Sequence, residues 1–237
     1  MSFLCRLQGI SERLGTMVDV ETVLSLSQAI IENKGIMLKK SYSSDLYTHC
    51  ANVAELSVRL GIYYNLNLQE LTDLGVGGYL HDYGKISITD SILNKPTGLS
   101  DMEFYLMQAH PSRGYRDLKK YNFNTNIMDI VLKHHEKLDG SGYPSALSDL
   151  SILVQITTVS DMFDAIHSKR SYHDPVTIEN TIEVLKGSPG LNQVIVKVLA
   201  DLLSADSRAE QECKEEPPEE AAGEIVKPVD FWKRKKA

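Results

Sequence analysis

Apolar residues recur along the chain every three or four positions, the spacing expected of helices that bury one face. The first stripe consists of Val20, Val23, Leu24, Ser27, Ile30 and Ile31, and the second of Leu46, Cys50, Val53, Leu56 and Leu60. Gly61 follows the second stripe and predicts the end of that helix. The alternating pattern of half-buried strands is absent beyond very short runs. The pattern therefore predicts an all-α bundle.

Two capping-box spacings predict where further helices begin. Asn67 precedes Glu70 by three residues, and Ser100 precedes Glu103 in the same way. The first box predicts a helix over residues 68–83 that stops near Gly84. The remaining predicted boundaries are a new helix just after His110 at Pro111, caps at Asn124 or Thr125 and at Ser148, a start at Asp174 with Pro175, and a stop at Gly187.

Composition divides the chain into three parts. With 237 residues, of which 42% are hydrophobic, the chain can bury a core. From residue 206 an acidic block with prolines and a basic end replaces the helical pattern, and such a segment buries too little apolar surface to offset its ordering entropy. We expect an N-terminal segment over 1–19, one domain over 20–205 and a flexible tail over 206–237.

Charge and cysteine content narrow the class of protein. The formal net charge of −7 provides no diffuse basic surface for a long nucleic acid. No stretch approaches the about 20 apolar residues of a membrane span. Cys5, Cys50 and Cys213 are scattered and never form a CxxC pair, which indicates a reducing compartment and excludes a thiolate metal cage. We expect a cytoplasmic protein in which any metal has nitrogen and oxygen ligands.

Five of the seven histidines stand in contexts that suggest ligation: His49, His81, His110, His134 and His135. A single histidine on an apolar face is usually a core residue with a satisfied hydrogen bond, but several together favour a shared site. His134 follows Ile127, Ile130 and Val131 at helical spacing, so we expect it to point into the bundle. A buried imidazole there needs a hydrogen-bond partner or a metal.

Carboxylates accompany these histidines. His81 and Asp82 diverge by about 100° on a helix, which suits a histidine that takes one metal and a carboxylate that bridges to a second. Asp161 lies in the apolar stretch "ITTVSDMFDAI", where a partner cation would offset its buried charge. Asp164 is one turn further on. Asp45 shares a helical face with His49, or serves instead as a first-turn acid favoured by the helix dipole.

This mixed nitrogen and oxygen set favours iron or manganese, with zinc, nickel or magnesium as alternatives. We expect a cluster of two metals, or three. Two adjacent metals typically activate a hydroxide and clamp a phosphoryl oxygen while the leaving group departs. Lys85, just after "HDYG", would neutralise a phosphate oxygen, although a surface lysine is the ordinary alternative. These residues predict metal-assisted phosphoester hydrolysis.

Three ordered motifs resemble the HD-GYP domain, a branch of the HD superfamily of metal-dependent phosphohydrolases. They are "HDYGKISITDSILNKPTGLSDMEFYLMQAHPSRG", "HHEKLDGSGYP" and "ITTVSDMFDAIHSKRSY", and the resemblance spans about residues 20 to 205. It implies an all-α HD bundle around a buried centre of two or three metals. It also implies hydrolysis of the bacterial second messenger cyclic di-GMP to pGpG or GMP.

The resemblance assigns roles to residues of this sequence. The implied metal ligands are His49, His81, Asp82, His110, His134, His135 and Asp161, with Asp82 bridging. Lys85, Asp82 and Asp164 are implied in catalysis, and the implied substrate contacts are Lys85, Arg170, Gly142, Tyr143 and Pro144. In the family the loop with the last three of these also contacts partner proteins, including diguanylate cyclase (GGDEF) domains.

The chain departs from the family pattern at several positions. Asp45 stands where three-metal members usually have a glutamate and is one methylene shorter, so we expect two metals and the linear product pGpG. Ser171 and His173 replace a proline and a basic residue, which weakens one substrate contact. Two alternatives stay open: a non-catalytic cyclic di-GMP sensor or interaction module, and an HD hydrolase of another cyclic dinucleotide.

Overall fold

A computed structural model of the chain describes residues 18–93, 95, 97–168 and 176–214. Within these ranges the protein is helical and contains no strand, which confirms the predicted all-α class. The α-helices are α1 (Val20–Asn33), α2 (Leu38–Ser41), α3 (Ser44–Tyr63), α4 (Leu68–Leu80), α5 (Asp90–Leu93), α6 (Asp101–Gln108), α7 (His110–Leu118), α8 (Thr125–Lys133), α9 (Ile152–His167), α10 (Ile178–Lys186) and α11 (Gln193–Lys214). Short 3-10 helices cover Tyr83–Ser87 and Lys119–Tyr121.

Most of the predicted helix starts are confirmed. Capping boxes at Asn67 and Ser100 begin α4 and α6, each with its glutamate three residues later. Asn124 caps α8 by accepting a hydrogen bond from the backbone N–H of Ile127. α7 begins at His110 and carries Pro111 in its first turn, where a missing N–H is harmless. Local side-chain chemistry therefore fixes these boundaries.

Two glycines that the pattern predicted as helix stops have other roles. α3 continues past Gly61 to Tyr63. A Cβ at Gly61 would lie 2.6 Å from the Leu74 side chain, so the role of this glycine is to let α3 approach α4 closely. α4 ends at Leu80, short of Gly84. A Cβ at Gly84 would lie 2.0 Å from the carbonyl oxygen of His110, so this glycine admits the start of α7.

Two further boundaries differ or fall outside the described ranges. Ser151, and not Ser148, caps α9, because its hydroxyl accepts the backbone N–H of Val154. The start predicted at 174–175 lies outside the described residues, and α10 begins at Ile178 with Thr177 as its cap. The stop at Gly187 is confirmed as the C-cap of α10.

Helix α4 lies at the centre of the bundle and contacts three other helices through glycines. A Cβ at Gly75 would meet Ser27 of α1, one at Gly77 would meet Ile130 of α8, and one at Gly78 would meet the backbone of Ala54 in α3. Each neighbour therefore packs directly against the α4 backbone. The close contacts hold the C-terminal end of α4, where His81 and Asp82 follow, between the surrounding helices.

The end of the domain lies within a helix. The described residues fall into two units, one ending at Leu203 and the other beginning at Ser204. Residues 206–214, which the composition assigned to a flexible tail, continue α11 as helix because Ala, Glu, Gln and Arg are good helix formers. Residues 1–17 and 215–237 lie outside the described part of the chain. No described helix is long and apolar enough to cross a membrane.

Replacing Gly78 by alanine tests the close packing of α4 on α3. The added Cβ would lie 2.5 Å from the Ala54 Cα, and a backbone atom cannot move aside cheaply. We expect Gly78→Ala to lower the free energy of unfolding by about 1–3 kcal/mol, measured by urea denaturation of the metal-free protein. Gly98→Ala is the control, since nothing lies within 4 Å of its added Cβ. Equal stability of the two variants would contradict this packing argument.

Candidate metal centre

The helices bring seven of the predicted ligand residues to one place. They are His49 of α3, His81 and Asp82 after α4, His110 at the start of α7, His134 and His135 after α8, and Asp161 of α9. All are buried except His135, whose side chain is 26% exposed. Residues from five helices therefore share one buried cluster, with one histidine at its surface.

Nitrogen and oxygen atoms within this cluster form three groups of potential metal ligands, and the atoms of each group lie within 4.8 Å of one another. The groups are Asp82 with His110, His134 and His135; His49 with His81 and Asp82; and His81 with His134 and Asp161. Asp82 belongs to the first two groups. That shared membership suits a carboxylate that bridges two metals.

Three histidines use Nδ1 to bond their own helical turn. Nδ1 of His81 lies 2.7 Å from the Gly78 carbonyl, and Nδ1 of His110 lies 2.8 Å from the Met107 carbonyl. His134 Nδ1 lies 3.1 Å from the carbonyl of the residue three positions earlier. A carbonyl only accepts, so the proton must reside on Nδ1 of each ring. In the neutral ring Nε2 then carries a lone pair that is available to a metal.

The fourth histidine is oriented by a carboxylate. Nδ1 of His49 donates to Asp164 Oδ2 over 2.6 Å. Asp164 in turn accepts from Asn52 Nδ2 at 2.8 Å and from the Ser168 hydroxyl at 2.7 Å. Asp164, which the resemblance implied in catalysis, therefore contacts a histidine and two other polar side chains. This geometry gives Asp164 the position of a residue that orients the His49 ring.

The nitrogen and oxygen atoms that could bind a metal lie close to one another in the cluster. His110 Nε2 lies 3.1 Å from His134 Nε2, and His49 Nε2 lies 3.1 Å from Asp161 Oδ1. His81 Nε2 and Asp82 Oδ1 are buried and make no hydrogen bond with a described residue. Lone pairs so arranged would repel one another, so a cation is needed among them, either a metal or a proton on His81. The residues present therefore fit divalent metals with nitrogen and oxygen ligands.

Electrostatics keep two of the histidines neutral. Burial, together with the neighbouring His135 and His81 rings, holds the pKa of His134 well below its ordinary value. Burial lowers the pKa of His135 to about 3, although Asp161 opposes the shift. Both rings are therefore uncharged near neutral pH. Neutral imidazole is the form that binds a metal.

Electrostatics also keep the two buried carboxylates ionised, and they keep His81 protonated. Burial alone would raise the pKa of Asp82, but Lys85 and His81 hold it well below its ordinary range. Burial likewise opposes ionisation of Asp161, and His49 and His81 outweigh it, so the pKa of Asp161 is also lowered. Burial would lower the pKa of His81, yet Asp82 and Asp161 raise it to about 10. In the metal-free protein a proton on His81 therefore balances part of the buried negative charge.

One edge of the cluster opens to solvent. The side chain of Lys85 is 19% exposed and that of Asp161 10%, whereas those of His81, His110 and His134 are at most 1% exposed. Lys85 Nζ lies 2.5 Å from Asp82 Oδ2. A phosphate that reaches the cluster must approach from this open edge, where Lys85 supplies a positive charge.

The predicted loop with Gly142, Tyr143 and Pro144 lies at the same edge. The Tyr143 ring stacks on the His135 ring with 4.7 Å between centroids and 29° between planes. A Cβ at Gly142 would lie 2.4 Å from both the Glu136 Cα and the His135 carbonyl oxygen, so only glycine lets the loop lie this close. Burial and the nearby Asp161 raise the pKa of Tyr143, which keeps its hydroxyl protonated.

One predicted ligand lies apart from the cluster, and one predicted substrate contact is not among the described residues. Asp45 is exposed in the first turn of α3 and belongs to none of the three ligand groups. Arg170, with Ser171 and His173, lies outside the described residues. Sequence reasoning missed Asn52 and Ser168. The only available signal was helical spacing, since Asn52 follows His49 by three residues and Ser168 follows Asp164 by four.

Comparison with known proteins identifies the family. A family model described as HD domain matches residues 26–191. A cyclic di-GMP phosphodiesterase of Pseudomonas aeruginosa is 34% identical over 171 residues, which cover 68% of this chain and 41% of that protein. A 3'3'-cGAMP-specific phosphodiesterase of Vibrio cholerae is 36% identical over 188 residues, covering 76% of this chain and 34% of the relative. The chain thus spans less than half the length of these two relatives.

A solved structure agrees in fold. An HDG"Y"P protein from Bdellovibrio bacteriovorus superposes with a TM-score of 0.61 at 17% identity, covering 82% of this chain and 68% of that one. At this identity the likeness establishes the fold alone. The family model supports more than the fold, because the region that it matches contains all seven clustered residues. The chain belongs to the HD-domain family.

Proposed function

We propose that the chain is a metal-dependent phosphodiesterase that opens a cyclic dinucleotide, with cyclic di-GMP as substrate and pGpG as product. One observation carries the proposal: four histidines use Nδ1 in fixed hydrogen bonds, and their Nε2 atoms face the buried carboxylates Asp82 and Asp161. Such a set suits a two-metal site. Two-metal sites commonly hydrolyse phosphate esters.

The groups of ligand atoms suggest how two metals would be held. We assign one metal to Asp82, His110, His134 and His135, and the other to His49, His81, Asp82 and Asp161. Iron or manganese suits this donor set. When bound, the metals supply Lewis-acid stabilisation of phosphoryl charge and activation of water. Asp45 stays a predicted ligand for a third metal.

The chain's own residues bind and orient the phosphate. Asp82 raises the pKa of Lys85 despite its burial, so the ammonium stays charged and can bind a non-bridging phosphate oxygen at the open edge. Tyr143, fixed on His135, forms one wall of that edge. Asp164 holds His49 in orientation. The role of Arg170 as a nucleotide contact stays a prediction.

The choice of nucleotide rests on the relatives. Proteins named for cyclic di-GMP and proteins named for 3'3'-cGAMP both match this chain. The two nucleotides share a ring with two phosphodiesters and differ in one base. A 36% match over 188 residues makes 3'3'-cGAMP the second candidate substrate. A sensor without activity is disfavoured because the ligand set is complete, and binding of GGDEF domains through the loop stays a prediction.

Incubation of the metal-loaded full chain with each nucleotide, followed by chromatography, tests the proposal. We expect cyclic di-GMP to yield pGpG, and Asp82→Ala to abolish both metal content and hydrolysis because it removes the bridging carboxylate. The control is Asp117→Asn, an exposed carboxylate beside Arg116. Bound metal with both nucleotides intact would favour the sensor. Hydrolysis of 3'3'-cGAMP alone would move the substrate assignment to the second candidate.

Metal binding should depend on pH through His81. Because its pKa is raised to about 10, the metal-free protein carries a proton on His81 at neutral pH, and a metal must displace it. We expect proton release on metal binding and an apparent affinity that rises with pH toward 10. Calorimetry with Mn²⁺ in two buffers of different ionisation enthalpy measures the protons released. Equal heats in the two buffers would contradict the assignment.

Asp164→Asn tests whether Asp164 acts through His49. An amide provides a weaker acceptor for the imidazole N–H, so the ring loses orientation and basicity. We expect about 10- to 100-fold weaker Mn²⁺ binding, measured by competition with a chelator. Asp117→Asn is again the control. Unchanged metal affinity with lost hydrolysis would instead place Asp164 at the substrate.

A further inference from the structure

Glu136 is a fully buried carboxylate beside the cluster. It follows His135 directly, has 0% exposed surface and forms no ion pair with a described residue. An ionised carboxylate in such a place is costly unless other groups satisfy it. Its two oxygens accept the backbone N–H groups of Ser145, at 2.6 Å, and Leu147, at 2.9 Å.

These bonds close the loop onto the end of α8. On one side of Pro144 the backbone N–H of Tyr143 donates to the His135 carbonyl over 3.2 Å. On the other side Glu136 holds Ser145 and Leu147. The residue pair 135–136 therefore anchors the loop both before and after Pro144. Ser145 and Leu147 are exposed, so Glu136 supplies the buried end of each contact.

The anchored loop determines what covers His135. Tyr143 stacks on this histidine, which is the solvent-facing member of the cluster. The other four histidines have Nδ1 fixed by hydrogen bonds, whereas the nearest acidic atom to His135 Nδ1 is Asp161 Oδ2, at 3.8 Å. The His135 ring also contacts the His134 and His110 rings, with 4.2 and 5.0 Å between centroids, so Tyr143 is the restraint on its plane that the loop supplies.

We propose that Glu136 is a positioning residue for the open edge of the metal centre. It anchors residues 145–147 so that Tyr143 stays stacked on His135, and thereby fixes both the exposed ligand and the wall against which a phosphodiester binds. This inference rests on the proposed function only in its last step. The anchoring of the loop and the orientation of His135 can be measured without any substrate.

Hydrogen exchange of the metal-free protein tests the anchoring. Glu136→Gln keeps the shape of the side chain, but its amide oxygen can accept only one of the two N–H groups and its NH₂ faces the other. We expect the amide of Ser145 or Leu147 to exchange about tenfold faster, or more, than in the parent protein. Asp139→Asn is the matched control. Asp139 is an exposed carboxylate of the same loop that bonds Ser141.

Cobalt(II) as a spectroscopic probe tests the effect on His135. We expect Glu136→Gln and Tyr143→Leu each to change the visible absorption of the cobalt-loaded protein, because both free the His135 ring, while Asp139→Asn leaves the spectrum unchanged. Tyr143→Leu should do so without faster exchange at Ser145 and Leu147. With an active parent protein, Glu136→Gln should raise KM about tenfold with kcat changed less than about threefold.

Three outcomes separate the possibilities. Unchanged exchange in a folded Glu136→Gln protein overturns the anchoring, and Glu136→Asp repeats the measurement if the glutamine variant does not fold, because its shorter side chain also cannot reach both amides. Faster exchange with an unchanged cobalt spectrum overturns the positioning of His135. Faster exchange with a changed spectrum supports the proposal, even if the parent protein hydrolyses neither nucleotide and the proposed function fails.

Discussion

The burial of two carboxylates among five imidazoles is the constraint on which the rest of this bundle depends. Asp82 and Asp161 are buried within reach of His49 and His81, and their charge raises the pKa of His81 to about 10. Desolvated negative charge is costly, and besides the Lys85 ammonium the balancing positive charge comes from a proton on His81 or from a metal. The surrounding helices hold the nitrogen and oxygen atoms of the cluster close enough together for either a proton or a metal to balance this charge.

Close packing around α4 makes that arrangement rigid. Glycines on α4 let α1, α3 and α8 touch its backbone, and two of those neighbours carry or precede residues of the cluster. Close-packed interiors resist displacement, because a shift of one helix creates overlaps or voids at the others. His81 and Asp82 follow the end of α4 and lie between helices whose positions this packing fixes.

Local chemistry explains how much of the structure could be predicted. Asn67 with Glu70 and Ser100 with Glu103 act within a few residues, so the sequence alone predicts those helix starts. The local pattern predicts a helix stop at Gly61, because its partner Leu74 lies on another helix and the pattern contains no information about that contact. Whether such a glycine ends a helix or allows close helix packing depends on tertiary contacts.

In the candidate site too, local sequence predicts some features and tertiary contacts determine the others. The clustered histidines and aspartates follow from residue type, helical spacing and the HD-GYP resemblance. The contact of Asp164 with His49 joins residues 115 positions apart, so no local pattern predicts it. Glu136 stands in a polar stretch where glutamate is ordinarily exposed, and only the folded loop shows its two buried oxygens to be occupied by backbone groups.

The Nδ1 hydrogen bonds of the histidines also differ in their range along the chain. His81 and His110 bond carbonyls three residues earlier, so a single helical turn sets the plane of each ring. His49 takes its orientation from a partner 115 residues away. Contacts between distant residues require closure of long loops, which costs entropy before the contact forms. The orientation of the His49 ring therefore depends on the docking of α9 on α3, whereas a single local turn is sufficient to orient the rings of His81 and His110.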